Sequence, residues 1–249
     1  MRGWENMEII QLDTVNSTNS YAKLNIDTLQ DKTVIHALHQ TQGRGRLNRS
    51  WVDLGDDNLF MSIVLKPSDV FNEIYPNLTQ YLSVCLCKVL EKYGLNPQIK
   101  WPNDVLINSK KIAGILSETV IQGNKFKGIV LGIGVNLNAN QQDADAIPDR
   151  VVTSLNLELN RKIDMQDFMQ KLLDEFFANY NKFLTEGFIS IKNYYIKKNC
   201  FLNKEIKIQV FNKIKEGLAQ NVNDSGELVL LDKENKEFVL TIGDILWMY

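Results

Sequence analysis

Charge of one sign is what this chain lacks most. Its 28 Lys and Arg stand against 30 Asp and Glu over 249 residues, a formal net charge of −2. No global field draws it to nucleic acid or to an anionic membrane, so any anion site has to be local. Cysteine is scarce too. Cys85, Cys87 and Cys200 are odd in number, and the C-x-C spacing of the first two fits neither a disulfide framework nor a zinc ribbon, so reduced thiols are expected. Long apolar runs are missing: the nearest, residues 59–65 and 129–135, are strand-length, far below the ~20 residues of a spanning helix. The opening MRGWENMEII lacks the ordered charged, apolar and cleavage regions of a signal peptide, which points to a cytoplasmic protein. With 14 Gly, 5 Pro and mixed charge along the chain, collagenous and largely disordered proteins are excluded. A hydrophobic fraction of 44% suits a packed core.

What is present is a succession of short elements. Residues 7–12 form a strand candidate, and Thr14, Asn16, Ser17, Thr18 and Asn19 are turn and N-cap formers ahead of Tyr21, Ala22 and Leu24, which predicts strand, polar turn, helix. Residues 33–39 read as a buried strand running into QTQGRGRLNRSW, a loop without hydrophobic periodicity, and residues 58–66 as the next strand. Leu82, Cys85, Leu86, Val89, Leu90 and Tyr93 recur at spacings of three and four, the stripe of a core-facing helix, which assigns Cys85 to packing. From Gln98 the text becomes a β meander: QIKW, VLIN, KIAGILSETVI, a turn at residues 122–124, then KFKGIVLGIGVNLN, closed by a polar connection at residues 143–148. Residues 164–198 are helix-rich, with Phe168, Leu172, Phe176, Tyr180 and Phe183 on one face. Beyond Leu202, turn signals at residues 215–217, 223–226, 233–235 and Gly243 have the spacing of a small barrel. The expected architecture is an α+β domain of residues 1–200 carrying an all-β module of residues 201–249.

Three segments carry candidate chemistry. Gly43, Arg44, Gly45, Arg46 and Arg49, with Trp51 at the end, form an arginine-rich loop in a near-neutral chain. Glycines allow close backbone approach to a ligand, and guanidinium forks match a carboxylate or phosphate. A solvated loop or an RNA-binding RG patch is the alternative, and the missing basic surface weighs against it. In Lys100-Trp101-Pro102-Asn103-Asp104 a lysine, an aromatic, an amide and a carboxylate meet at a strand junction; a plain structural turn explains that segment equally well. Lys110 and Lys111 lead into an apolar strand interrupted by Gly114, as expected where a ligand meets backbone, or at an edge strand guarded by lysines. His36 and His39, read as sharing one face of a strand, have no nucleophile context and are assigned to packing or pocket lining.

Taken in order, Ser17-Thr18-Asn19, the stretch from Gly43 to Arg49 with Trp51, Lys100 to Asp104, Lys111 with Ala113-Gly114-Ile115-Leu116, and Gly132-Ile133-Gly134-Val135-Asn136 resemble the biotin protein ligases. Five motifs in the family's order are far more specific than any one glycine-rich match. The resemblance implies a class II synthetase-like biotin/lipoate ligase catalytic domain with a C-terminal SH3-like barrel. Some members add an N-terminal DNA-binding domain and act as repressors; only a short segment precedes Ser17 here, so no DNA partner is expected.

The resemblance further implies that ATP, with Mg2+, activates biotin as biotinyl-5′-AMP, and that a lysine of a biotin carboxyl carrier domain attacks the adenylate. It assigns biotin binding to Ser17, Thr18, Asn19, Gln40, Gly43, Arg44, Gly45, Arg46, Lys111 and Gly114. Neutral donors and acceptors among these suit an uncharged ureido ring. Arg46, Arg49, Trp51, Asn103, Lys111 and Asn136 fall to ATP and adenylate, and Lys111 and Arg46 to catalysis. Asp104 is the candidate for Mg2+ or for orienting Lys111, with a turn role as its alternative; Ser17 to Asn19 could also be a simple helix cap, and Lys100 a phosphate contact or a strand end. Residues 41–50 are expected to order when biotin binds, excluding water from the adenylate. No membrane partner is expected, and a homodimer is compatible with the resemblance. Rival readings are a lipoate or octanoate ligase, a non-catalytic biotin sensor, and an RG-type RNA binder.

Overall fold

A sheet whose central strands are buried on both faces builds the first layer. The computed structural model describes residues 7–68, 70–147 and 151–248. Seven strands, β1 (Ile9–Val15), β2 (Val34–Gln40), β3 (Leu59–Leu65), β4 (Pro97–Lys100), β5 (Asp104–Ile107), β6 (Lys110–Gln122) and β7 (Lys125–Val135), form one sheet in the order β1-β2-β3-β7-β6-β5-β4. Only β1 and β2 run parallel, joined by the short helix α1 (Thr18–Leu24), which Ser17 caps; the other neighbours are antiparallel. The expected N-terminal elements and the meander stand as read, apart from shifts of a few residues at strand ends. Residues 1–6, on which the leader-peptide reading partly rests, and Pro148 lie outside the described residues.

The period of two along β7 separates core from site. Leu131, Ile133 and Val135 join the main core with Met61 and Ile63 of β3 and with α2 (Leu78–Lys92), whose stripe includes Leu82, Cys85, Leu86, Val89 and Leu90. Val130 and Val64 face the other way, into a small cluster with Ala22 and Ile26 under α1. Next to Val130 on that second face stand Gly132 and Gly134.

After the sheet come α3 (Gln141–Asp145), where the sequence suggests only a polar connection, and α4 (Leu155–Leu159). Then α5 (Met165–Ala178), α6 (Tyr180–Glu186) and α7 (Ile189–Lys198) pack on α2, with Phe168, Leu172, Phe176, Tyr180 and Phe183 all buried as their recurrence predicts. The Tyr81 ring sits 4.5 Å from that of Phe183 and 5.1 Å from that of Phe176, measured between centroids.

Five more strands, β8 (Glu205–Val210), β9 (Lys213–Val222), β10 (Leu228–Leu231), β11 (Glu237–Leu240) and β12 (Asp244–Met248), form an antiparallel sheet in the order β11-β10-β9-β8-β12. Its hydrogen-bonded order leaves β11 and β12 as edges, so the ladder among the described residues is an open sheet. Residues 215–217, expected as a turn, are strand interior; the hairpin reverses instead at Phe211, which has φ of 52°. Gly217 is there for close approach: a Cβ on it would lie 2.0 Å from the Leu231 carbonyl oxygen. Trp101 ties the sheets together, donating from Nε1 to the Gly226 carbonyl at 3.2 Å. Among the described residues no helix is long and apolar enough to cross a membrane.

All three cysteines are buried and unpaired. Burial, with Glu175 nearby, pushes the Cys85 thiol up to about 12, and burial pushes Cys200 up to about 11 and Cys87 upward as well. Because the thiolate is the reactive form, Ellman's reagent at pH 8 should release almost no colour from the folded protein and the equivalent of three thiols in denaturant. Rapid reaction of any one thiol in the folded state would refute this packing.

Candidate active site

Backbone, not side chain, makes the floor of the site. Across β6 and β7, Gly114 pairs with Gly134 and Leu116 with Gly132, and β3 sets Ser62 beside Gly132. The indole of Trp51 lies on the glycine pair: a Cβ on Gly134 would come 2.4 Å from the Trp51 ring, and one on Gly114 2.9 Å. Asn19 covers Gly132 in the same way, leaving 2.0 Å between its Oδ1 and a Cβ there. Ser17, Gln40, Arg44, Arg46, Arg49, Trp51, Lys111 and Gly114, among others, line a solvent-open cavity above this floor. A second, smaller cavity, also open to solvent, shares Ser50, Trp51 and Lys111 with it and is otherwise lined by Val52, Leu54, Asn136, Ile147 and Val152.

The arginine loop is held in a tight turn. Gly45 N–H donates to the Arg49 carbonyl at 2.7 Å, and Trp51 N–H to that of Gly43 at 2.9 Å. Gly43 has to be glycine because a Cβ would lie 2.4 Å from the Trp51 carbonyl oxygen. Arg46 points inward, with Nη1 3.2 Å from Asn103 Oδ1, 3.2 Å from the Gly243 carbonyl and 3.1 Å from Asp244 Oδ1. Arg49 forms an ion pair with the other oxygen of Asp244 at 3.0 Å, without hydrogen-bond geometry. One carboxylate of the C-terminal sheet thus meets both guanidinium groups. Burial pulls the Arg46 pKa down from its ordinary value, opposed by Asp244 and Asp104.

Lys111 stands across from this pair. A β-bulge between Val105 and Leu106 sets Leu106 opposite Lys111, and residues 151 and 153 pin the Lys111 backbone with two bonds of 2.9 Å. Its Nζ reaches Asp104 Oδ1 at 2.6 Å and lies 5.5 Å from the centre of the Trp51 ring, within cation–π range. Lys100, on the neighbouring strand, is drawn down in pKa by burial, opposed by Asp104 and reinforced by Lys111; it borders the charged group without lining the cavity.

The opposite end of the cavity sets uncharged hydrogen-bonding groups beside one paired cation, Arg44. Ser17, Asn19 and Gln40 line it, with Thr18 immediately behind: Gln40 Oε1 accepts from Thr18 N–H at 2.8 Å. Glu118 closes this end, taking Lys23 at 2.8 Å and an Arg44 nitrogen at 3.2 Å. Burial pushes its carboxyl pKa up, but bonds from Lys23 and Asn19 outweigh that and leave it below the usual value.

Of the residues nominated from sequence, the structure brings Ser17, Asn19, Gln40, Arg44, Gly45, Arg46, Arg49, Trp51, Asn103, Asp104, Lys111 and Gly114 to the main cavity. Asn136 borders only the second cavity, its amide donating to the Thr153 carbonyl at 3.0 Å. Gly43 sits beneath the Gln40 amide and supports the loop. Asp104, at the start of β5, is the carboxylate that Lys111 Nζ reaches. The described residues contain no group of three or more His, Cys, Asp or Glu placed to hold a metal. The histidines do not share a face, since an offset of three reverses direction on a strand. His36 is buried and its pKa lowered by burial, while His39 reaches Asp53 at 3.2 Å and Asp56 at 3.3 Å near the surface.

Sequence reasoning missed Asp244 and Glu118. Gly243-Asp244 reads as an ordinary turn, and Glu118 as the polar position of an amphipathic strand. Asp244→Asn keeps the shape and removes the charge; limited trypsinolysis at Arg44, Arg46 and Arg49 is expected to accelerate severalfold while the urea midpoint moves little. Unchanged cleavage would mean that Asp244 does not restrain the loop.

A sequence model of the biotin/lipoate A/B protein ligase family matches residues 12–136. The bifunctional ligase/repressor BirA of Bacillus spizizenii is 32% identical over 231 residues, covering 91% of this chain and 70% of that protein. A biotin–[acetyl-CoA-carboxylase] ligase of Paracoccus denitrificans is 28% identical, with 92% and 96% of the two chains covered. Among solved structures, a biotin protein ligase from Aquifex aeolicus in complex with biotin and ATP superposes with a TM-score of 0.82 at 26% identity, covering 96% of this chain and 98% of its own. The glycine floor, the arginine loop and Lys111 all fall within the matched segment, and the chain belongs to the biotin/lipoate A/B protein ligase family.

Proposed function

We propose that this protein is an ATP-dependent biotin protein ligase, which converts biotin to biotinyl-5′-AMP and transfers the biotinyl group to a lysine of a biotin carboxyl carrier domain. The observation that carries the reading is one cavity that brings the cationic Arg46, Arg49 and Lys111 together with the uncharged Ser17, Asn19 and Gln40. A carboxylic acid with a neutral hydrogen-bonding head fits both. A lipoyl or octanoyl tail would leave the polar end unpaired, which is costly for buried groups.

Activation joins two anions. A biotin carboxylate oxygen bonds to the α-phosphorus as the bond to pyrophosphate breaks, and charge accumulates on the phosphoryl oxygens. Lys111, held by Asp104, and Arg46 supply fixed positive charge at that point, in a site partly shielded from water. Arg49 sits further out, suited to the departing pyrophosphate. Adenine is assigned to the smaller cavity beyond Trp51, whose walls are mostly apolar. Trp51 borders both pockets, and Asn136 lines only the smaller one. In the second step the acceptor amine attacks the biotinyl carbonyl and AMP leaves.

Mg2+ is expected with the nucleotide, since it is commonly held by phosphates and one or two carboxylates. This donor set does not build a cage for it: Asp104 already serves Lys111, so no step here is routed through a protein-held ion.

ATP–pyrophosphate exchange tests the proposal, comparing biotin, lipoate, octanoate and no acid. Exchange is expected with biotin alone and should fall about a hundredfold or more in Lys111→Ala, as when a group that stabilises transition-state charge is removed. Exchange only with lipoate or octanoate would move the enzyme to a different acid, and biotin binding without exchange would make it a sensor. Biotin should also protect residues 41–50 from trypsin; equal cleavage with and without it would argue against ordering of the loop.

A further inference from the structure

Lys100 borders the charged group of the site without an ion pair of its own. It ends β4, the edge strand of the large sheet, where a lysine ordinarily turns to water. Here that edge is covered: Cys200 N–H donates to the Ile99 carbonyl at 3.1 Å, and Asn199 bridges Ile99 in parallel register. Lys100 is thereby half-buried, and among the described residues it forms no ion pair. The register of the sheet says what it faces. Lys100 and Asp104 are direct cross-strand partners on β4 and β5, so their side chains stand on one face within reach of each other. Burial lowers the Lys100 pKa, and of the neighbouring groups Asp104 opposes that most, ahead of the Cys200 thiol and Asp244, while Lys111 adds to it. Asp104 thus has two lysines available to it. Lys111, from β6, holds it in this structure, with Nζ 2.6 Å from Oδ1.

That bond stands in the way of the activation step. A carboxylate in contact cancels much of the charge that Lys111 would bring to two incoming anions. Letting go would leave Asp104, its side chain 22% exposed, as a carboxylate without a partner, which is costly in a partly buried position. A second cation on the same face removes that cost.

We propose that Lys100 is a positioning residue for activation: as the acid and the nucleotide enter, it takes over the Asp104 carboxylate and frees the Lys111 ammonium for the reacting oxygens. Lys100 itself touches neither ligand, in keeping with its place outside the cavity lining. The step is an exchange of counterions on one carboxylate, with no proton moved and no covalent bond made. The inference rests on the biotin ligase reading, which supplies the two anions.

The test is a double-mutant cycle on biotin-dependent ATP–pyrophosphate exchange by the full chain, with Lys100→Met, Asp104→Asn and the pair together. Lys100→Met keeps the length of the side chain and removes its charge. It should lower kcat about tenfold, the scale of one hydrogen bond to a charged group, and leave KM for biotin within about twofold. Lys100→Arg, which can still take the carboxylate, should keep kcat within about threefold of wild type. In the Asp104→Asn background nothing holds Lys111 back, so adding Lys100→Met should change kcat by no more than about twofold. An equal tenfold loss in that background would overturn the proposal, because Lys100 would then act on the ligands directly or through its field alone. So would an unchanged kcat in Lys100→Met, or an Arg variant as slow as the Met one. Wild type without biotin-dependent exchange would instead remove the ligase reading and the counterion exchange with it.

Discussion

Trp51 can lie flat on the sheet only because β6 and β7 place Gly114 opposite Gly134 beneath it. The rest of the site is referred to that contact. It anchors the end of the arginine loop, whose start at Gly43 is bonded to the Trp51 backbone, and so it sets how far Arg46 reaches inward. It gives Lys111 an aromatic face to sit beside and borders both the cavity of the acid and the smaller apolar one. A methyl group at either glycine would lift the indole and move all of these at once. The glycines therefore serve proximity, with no turn or positive φ required of them.

The same two strands supply core and site by strict alternation. On β7, Leu131, Ile133 and Val135 hold α2 to the sheet while the intervening positions carry no side chain. A one-residue slip of register would bury polar groups and expose the core together, so the packing that stabilises the fold also fixes the position of the floor. Stability and site geometry are in this sense one property of the sheet.

Much of this was legible in the sequence because the chemistry is written in short local motifs. GRGRLNR, KWPND and the glycine-spaced strand each bring several site residues together within a few positions, so the residues nominated from them meet around one cavity or its border. The stripe of α2 and the aromatic face of α5 and α6 were legible for a similar reason, since 3.6-residue periodicity is a local signal. What remained hidden depends on register and on distant chain segments. Asp244 reaches the arginines from the last strand, nearly two hundred residues away, and nothing around Gly243-Asp244 marks it as more than a turn. Glu118 meets Lys23 and Asn19 only once the fold brings β6 to α1. Gly217 reads as a turn in the sequence because glycine signals a bend and a close backbone approach with the same letter. The divergence of His36 and His39 is itself written in the sequence, since an odd spacing on a strand parts the two side chains.

The cations of the site have one more feature in common: each already has a counterion. Arg46 and Arg49 share Asp244, Lys111 has Asp104, and Arg44 and Lys23 share Glu118. Five cations thereby share three carboxylates, which limits the surplus to two positive charges in a chain whose net charge is −2. The long-range pull of the site on stray polyanions is weak, because each positive group is masked within a few ångströms by a carboxylate of the same chain. An anion gains entry by displacing or sharing those carboxylates, and a lone phosphate has little with which to compensate for that exchange. A molecule that also bonds the uncharged groups and fills the smaller cavity has much more, so recognition at this site is conditional on the whole ligand.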